Sequence, residues 1–326
     1  MLARGIGVAA GVLADMMFGD PRRGHPVALF GSGAATLERL SYADDRRRGV
    51  AHTAGLLLAV GAAGAAVQRA ARRRSVAAEA LCVAAATFAA AGGTTLNRTG
   101  QQMANMLNSA DVDGARRLLP SLCGRDPSVL DAPGLTRAAL ESIAENTSDA
   151  QIGPLVWAVV GGVPAVLVYR AANTLDAMIG SRSPRYAKFG WAAARFDDLV
   201  NLAPARVTGL LVVLCAPVVG GSPVSAWRAW WRDADKHPSP NAGVAEASFA
   251  GALGVRLGGP TQYAHELEIR PTLGDGRVPT PDDLVRAVRL SRAVQLVAAA
   301  CAVSAACRSG RRASVRRSAG RARRRR

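Results

Sequence analysis

The chain has 326 residues, 41 of them basic and 24 acidic, for a formal net charge of +17. The last nineteen residues, Arg308 to Arg326, hold ten arginines and no acid, so the rest of the chain carries only +7. That excludes a uniformly basic nucleic-acid-binding domain. With 49% hydrophobic residues the body is too apolar for intrinsic disorder, and five cysteines without a CxxC pair suggest neither a disulfide framework nor a zinc site. Only two lysines, Lys188 and Lys236, stand beside 39 arginines, a bias that weakens the meaning of any single arginine.

In chain order, Ile6 to Leu13 is a short apolar run leading to Asp15 and Gly19-Asp20-Pro21, with no small-residue cleavage site, so this segment is expected to stay on the mature protein. Gly49 to Gln68 has His52 as its one ionisable group, and Val76 to Leu96 is interrupted only by Glu79. Gln151 to Tyr169 and Val207 to Trp227 are charge-free, the latter leading into Trp227, Trp230 and Trp231, residue types favoured at a lipid interface. Ala293 to Cys307 is a shorter run. Core helices of a soluble bundle rarely stay uncharged for about twenty residues, the length that crosses a hydrocarbon layer of about 30 Å. The expected fold is therefore all-α, a polytopic integral membrane helical bundle with four to six membrane segments. A single membrane-embedded domain over 1–307 would be followed by a disordered arginine-rich tail over 308–326. Anionic cytoplasmic lipid attracts such a tail, which places the C-terminus in the cytoplasm. The segment 151–169 is broken by Gly161-Gly162-Val163-Pro164, as in re-entrant or discontinuous helices, and is expected to enter and return or to be buried in the bundle.

The polar residues collect in 97–150, 170–206 and 232–289. After Ala132-Pro133-Gly134, Thr136 is the expected N-cap of a helix on which Glu141, Glu145 and Asp149 fall within about 80° of one another. Arg170, Asn173 and Asp176 step by three, as do Arg195, Asp198 and Asn201 beside Asp197. Oxygen ligands of this kind suit Mg²⁺ completed by water and phosphate; the competing reading is a solvated helix face. If 151–169 does not span, the acidic groups on its two sides face one compartment. His25 and His237, each near a proline, read as helix-cap or loop histidines, with metal ligation as the competing role. Ser239-Pro240-Asn241 reads as a turn placing Asn241 ahead of the helix with Glu246, for capping or for substrate contact. No GxxxxGK[ST] loop is present, and the glycine pairs are assigned to packing and turns.

At these residues the sequence resembles the CobD/CbiB family of cobalamin biosynthesis, the adenosylcobinamide-phosphate synthases, from about Gly11 to Gly274. The likeness is carried by Asp15, Gly19-Asp20-Pro21, His25-Pro26-Val27, Glu141-Ser142-Ile143-Ala144-Glu145-Asn146-Thr147 with Asp149, and Gly161-Gly162-Val163-Pro164. It continues in Asn173-Thr174-Leu175-Asp176, Phe189-Gly190, Asp197-Asp198-Leu199-Val200-Asn201, Pro204-Ala205-Arg206, Ser239-Pro240-Asn241-Ala242-Gly243 and Leu257-Gly258-Gly259-Pro260. Ala177 stands where the family pattern has serine, Ser248 where it has alanine, and the arginine tail lies outside the pattern.

The resemblance implies a multi-pass cell-membrane enzyme with a cytoplasmic active site, an ATP-dependent acid–amine ligase. It would join a propionate carboxylate of adenosylcobyric acid to the amine of aminopropanol or its O-phosphate, using ATP and Mg²⁺. Glu141, Glu145, Asp149, Asp176 and Asp198 are then the candidate catalytic residues, and Asp197, Asp198 and Asn201 the candidate Mg²⁺ ligands. Asn146, Arg170, Asn173, Arg185, Lys188, Arg206 and Asn241 are candidates for substrate and phosphate contacts. The expected partners are those substrates, the lipid bilayer and other corrinoid enzymes, with no nucleic acid. A membrane transporter, or a scaffold subunit for corrinoid assembly, is the reading from another class; it would favour more spans and fewer carboxylates in the connecting segments.

Overall fold

The computed structural model describes residues 2–21, 24–181, 183–262 and 267–323, and for 262, 267 and 306–323 the backbone alone. Of the arginine tail the backbone through Arg323 is described, as the end of the last helix, and the side chains lie outside the described residues. The chain runs through helices α1 (Leu2–Phe18), α2 (Pro26–Ser41), α3 (Arg46–Arg74), α4 (Val76–Ala90), α5 (Gly93–Asn108), α6 (Val112–Leu118) and α7 (Ala132–Asn146). A π-helical turn, Thr147–Ile152, leads into α8 (Gly153–Gly161), α9 (Val163–Ile179), α10 (Trp191–Cys215), α11 (Pro223–Asp233) and α12 (Ala242–Leu253). An antiparallel hairpin of β1 (Leu257–Gln262) and β2 (Leu267–Leu273) precedes α13 (Pro281–Arg323). Among the described residues the secondary structure is thus helical apart from one hairpin.

Among the described residues four stretches are long and apolar enough to cross a membrane: Arg46–Arg74, Val76–Asn108, Trp191–Val219 and Pro281–Ala305. At 1.5 Å per residue the 29 residues of α3 reach about 43 Å, more than a hydrocarbon layer. Large apolar side chains on these stretches face outward, Leu58 at 73% and Leu81 at 71% exposure, which suits a lipid-facing surface and not a soluble one. The apolar runs at 49–68 and 76–96 lie in these stretches. The shorter run at 293–307 proves to belong to a longer helix. The run 207–227 does not form one helix: a 3₁₀ turn at Ala216–Val219 and Gly220 at φ 68° end it, and Trp227 belongs to α11. There Trp227 packs against Trp230 and Trp231 at centroid distances of 5.2 and 5.9 Å.

Contacts divide the chain into two compact units. The first comprises Met1–Ala91, Pro154–Asp197 and Ala298–Arg326. In it α1 lies on α4 because Gly7 and Gly11 have no side chain: a Cβ at Gly7 would stand 2.6 Å from the Ala80 carbonyl, and one at Gly11 2.7 Å from Thr87. The segment 151–169 is broken as its glycines and proline require. Gly162 sits at φ 74°, and the backbone groups released there are satisfied by other helices. Arg4 donates to the carbonyls of Val159 and Val160 at 2.9 and 3.0 Å, and the Val163 amide donates to Gln68 Oε1 at 3.1 Å. An interrupted helix away from water needs such partners.

The second unit comprises Gly92–Gly153 and Asp198–Val297. Its central helix is α12, Ala-Gly-Val-Ala-Glu-Ala-Ser-Phe-Ala-Gly-Ala-Leu, every residue of which is buried. It packs on α7, α11 and both strands. Gly251 lets it close on α11, since a Cβ there would meet the Ser225 carbonyl at 2.4 Å. Ser248, the departure from the family pattern, is absorbed by donating to the Ala245 carbonyl at 3.0 Å. The N-cap of α7 is Asp131, which accepts from the Gly134 amide at 2.8 Å, and not Thr136, whose hydroxyl bonds back to Ala132 inside the helix. Pro133 fits the first turn, where its missing N–H costs nothing, so the helix begins earlier than expected.

Candidate active site

Glu141 and Glu145 stand one turn apart on α7, as their spacing predicts. Glu141, 1% exposed, forms a buried ion pair with Arg125 and accepts the Gly258 amide at 2.7 Å; Arg137 Nε lies 4.0 Å away. Gly258 and Gly259, at φ 84° and 90°, make the bulge between Leu257↔Leu273 and Gly259↔Arg270 that turns this amide toward Glu141. The glycine pair of Leu257-Gly258-Gly259-Pro260 thus serves a turn, as expected, and that turn builds the site.

A third glutamate, which the spacing did not reveal, completes the group. Glu246, on α12, is 1% exposed, and neither of its oxygens has a hydrogen-bond donor among the described residues. His237 Nε2 stands 3.7 Å and Arg270 Nη1 3.8 Å from Glu246 Oε1, both beyond hydrogen-bond reach. Burial raises the Glu246 carboxyl well above the ordinary glutamate range, and the negative charges of Glu141 and Glu145 add to this against Arg270 and Arg125. Burial likewise raises Glu145, the half-buried member of the three, against the pull of Arg270 and Arg125. His237 is lowered by burial and then by Arg270. Its Nδ1 lies 3.0 Å from the Ser239 amide and 3.2 Å from the Ser239 carbonyl oxygen; with the shorter contact made, the amide donates to Nδ1 and the neutral ring carries its proton on Nε2, toward Glu246. His25, by contrast, caps α2 by accepting the Val27 amide at 3.2 Å.

Other candidates in this unit form a second set. Asn241 does not cap α12 with its side chain; the Ser239 hydroxyl accepts from the amides of Asn241 and Ala242 instead. The Asn241 amide group bridges the Asp198 carbonyl, 2.7 Å away, and Arg206 Nη1, also at 2.7 Å. Two residues expected to contact substrate therefore contact each other. Asn201 is buried on the same helix, and Asp198 is half-buried. Asn146 turns back to Ser142, donating to its carbonyl at 2.9 Å and hydroxyl at 3.2 Å. Asp149 follows on the π-helical turn, half-buried. That turn is tied to α13 through Thr147 and Gln151, which meet the Ser291 hydroxyl at 2.8 and 2.9 Å. A π turn frequently marks a functional site.

The remaining candidates belong to the first unit. Arg170 donates to Asn173 at 3.2 Å and lines an apolar cavity of about 120 Å³ with Pro26, Phe30 and Leu167. Asp176 lies half-buried two turns beyond Tyr169, and Asp197 is the unit's buried last residue in α10. Arg185 is paired with Glu38 at 3.0 Å over the Tyr42 ring, and Lys188 with Asp44 at 2.7 Å. Among the described residues no group of three or more His, Cys, Asp or Glu side chains is disposed to hold a metal ion.

Comparison with known proteins agrees with this arrangement of motifs. Residues 8–291 match the family described as CobD/Cbib protein. The "Cobalamin biosynthesis protein CobD" of Mycobacterium tuberculosis strain H37Rv is 64% identical over 289 residues, covering 89% of this chain and 91% of the relative. The protein of the same name from Geobacter metallireducens is 42% identical over 279 residues, 84% of this chain and 88% of its own. No solved structure matches. A family match across most of the chain, with helices fit to cross a membrane and with Glu141 and Gly258 of two of the family's motifs bonded to each other, leaves one conclusion: the chain belongs to the CobD/CbiB family of cobalamin biosynthesis proteins.

Proposed function

We propose that the protein is an ATP-dependent acid–amine ligase that converts adenosylcobyric acid to adenosylcobinamide or its phosphate, using aminopropanol or aminopropanol O-phosphate. The observation that carries this reading is the glutamate group of the second unit, in which burial raises Glu246 and Glu145 beside Glu141. Amide formation consumes an ammonium and must dispose of its protons, which is work for a carboxyl of raised proton affinity, whereas a scaffold has no need of one.

A carboxylate does not lose oxide to an amine, so it is first activated. Transfer of the γ-phosphoryl group of ATP to the propionate gives an acyl phosphate and ADP. Attack by the amine then expels phosphate, and the ammonium gives up two protons in all, one of them to the departing phosphate and the other to a base. Mg²⁺, when bound, neutralises charge on the phosphates.

Asp198 and Asn201, one turn apart on α10 and preceded by Asp197, offer oxygen ligands of the kind Mg²⁺ takes beside water and phosphate. They fit that shared mode and not an all-protein cage. Arg206, oriented by Asn241, is the cation beside them. Arg170, with Asn173 and Asp176, and Arg185 and Lys188 are offered for anionic substrate groups, the last two after exchange of their present carboxylate partners. We place the active site and C-terminus on the cytoplasmic side of the cell membrane, where ATP is found and where other corrinoid enzymes would receive the product.

The genetic test is direct. A strain lacking this protein makes cobalamin from supplied cobinamide but not from cobyric acid; rescue by both precursors overturns the reading.

A further inference from the structure

Burying a carboxyl group without a hydrogen bond is costly, and a natural interior seldom keeps one idle. Glu246 is such a group at the middle of a helix that is otherwise apolar but for Ser248, whose hydroxyl is bonded to the Ala245 carbonyl. Its two nearest donors, His237 Nε2 and Arg270 Nη1, stop at 3.7 and 3.8 Å. His237 Nε2 is itself buried without a hydrogen bond. Glu246 thus holds two unmet acceptor oxygens, with His237 Nε2 stopping short of one of them, and acceptors suit a ligand that donates hydrogen bonds. An anion is disfavoured by Glu141 and Glu145 beside it. A metal ion would need a converging ligand group that is absent among the described residues.

Resting on the ligase reading above, we propose that Glu246 receives the ammonium group of the amino alcohol substrate and takes the first of its protons, with His237 as the positioning residue that orients the carboxylate. The carboxylate accepts a hydrogen bond from R–NH₃⁺ and removes one proton, leaving R–NH₂ with its lone pair available. That lone pair forms the C–N bond at the acyl carbon as the C–O bond to phosphate breaks. The second nitrogen proton leaves with the phosphate, and Glu246 returns its proton to water. A base whose proton affinity is raised by burial removes an ammonium proton more readily than an ordinary carboxylate. Glu145 is the half-buried member of the three and marks the side from which the amine enters. Full entry requires β2, which carries Arg270 against α12, to give way.

The test separates amine activation from carboxylate activation. Hydroxylamine is a nucleophile already neutral at pH 7, and it traps acyl phosphates as hydroxamates without needing a base to deprotonate it. Wild-type enzyme in nanodiscs, supplied with adenosylcobyric acid, ATP and Mg²⁺, is expected to form hydroxamate with hydroxylamine and amide with the amino alcohol. Glu246→Gln is expected to keep hydroxamate formation within about twofold while losing amide formation by about 10²- to 10⁴-fold, the range of general-base effects. Glu246→Gln that forms amide normally, or that loses both products equally while remaining folded by gel filtration, overturns the assignment. His237→Gln serves if Glu246→Gln does not fold: it is expected to raise KM for the amino alcohol several-fold without changing KM for adenosylcobyric acid, and equal effects on both overturn the proposal. Failure of the wild-type protein to form either product defeats the ligase reading itself, a result distinct from any of these.

Discussion

Replacing Arg125 with methionine separates the physics of the buried ion pair from its chemistry. Arg125 and Glu141 have side chains 6% and 2% exposed, so removing the guanidinium strands a carboxylate away from water. Breaking such a pair from one side costs about 3–5 kcal/mol. Glu141 keeps the Gly258 amide at 2.7 Å and gains relative weight from Arg137 at 4.0 Å, whose attraction offsets part of the loss. The expected cost of Arg125→Met is therefore near the low end, about 3 kcal/mol. At about 2–4 °C per kcal/mol for a cooperative unit of this size, the apparent Tm in detergent falls by about 6–12 °C. Adding Glu141→Gln removes the stranded charge while its amide oxygen still accepts from Gly258, so the double variant is expected to melt above either single one. A single variant within 2 °C of wild type, or a double variant that melts below both single ones, refutes the reasoning about this pair.

Gly162→Ala places a side chain at φ 74° and 2.7 Å from Gln68, so it should cost about 1–3 kcal/mol by thermal unfolding, whereas Gly33→Ala, with nothing near its Cβ, should be neutral or slightly stabilising. Arg4→Ala should lower stability by about 1–3 kcal/mol per stranded carbonyl at Val159 and Val160, read by the same assay. The pH dependence of stability carries a sign. Glu246 has a folded pKa above its unfolded value, so its contribution is fully present below the unfolded pKa and is lost as pH rises through the folded one. Facing it are Glu141, Glu145, Arg125, Arg270 and His237; Glu145 shifts in the same sense, and His237, lowered, in the opposite one, losing its contribution as pH falls. Wild type should therefore lose stability relative to Glu246→Gln as pH rises above the ordinary glutamate range, and a constant difference in Tm would count against the buried carboxyl. Single cysteines in place of Asp149 and Ser183 should react with an impermeant thiol reagent from one side of the membrane; labelling from opposite sides refutes the proposed common compartment. Deleting 308–326 should leave catalysis intact in a turnover assay if the tail serves only to hold the last helix at anionic lipid.

Elements set by local chemistry were legible in the sequence. The run at 49–68 marks α3, and that at 76–96, with Glu79 its one charge, marks α4 and the start of α5, because a membrane asks only for length and apolar composition. Gly161-Gly162-Val163-Pro164 marks a break because a glycine at positive φ and a proline cannot both continue a helix. Where two elements share one apolar composition the reading failed: the run 207–227 conceals the turn at Gly220 and the start of α11. The site was half legible. Glu141 and Glu145 follow from helical spacing, but Glu246 reaches them from α12, and Arg125 comes from the segment before α7 in a chain where arginines are too common to signal anything. Gly258 could be read as a turn residue, not as the donor to a glutamate more than a hundred positions earlier. Such pairings are fixed by packing, which periodicity does not encode.

The most direct measurement of the central claim is turnover by the purified protein in nanodiscs with adenosylcobyric acid, Mg²⁺, ATP and either aminopropanol or its O-phosphate. The expected result is a corrinoid amide formed with one ADP released per amide, absent when ATP or the amine is omitted. ATP-independent amide formation, or neither amide nor ADP with either amine from well-folded protein, would contradict it.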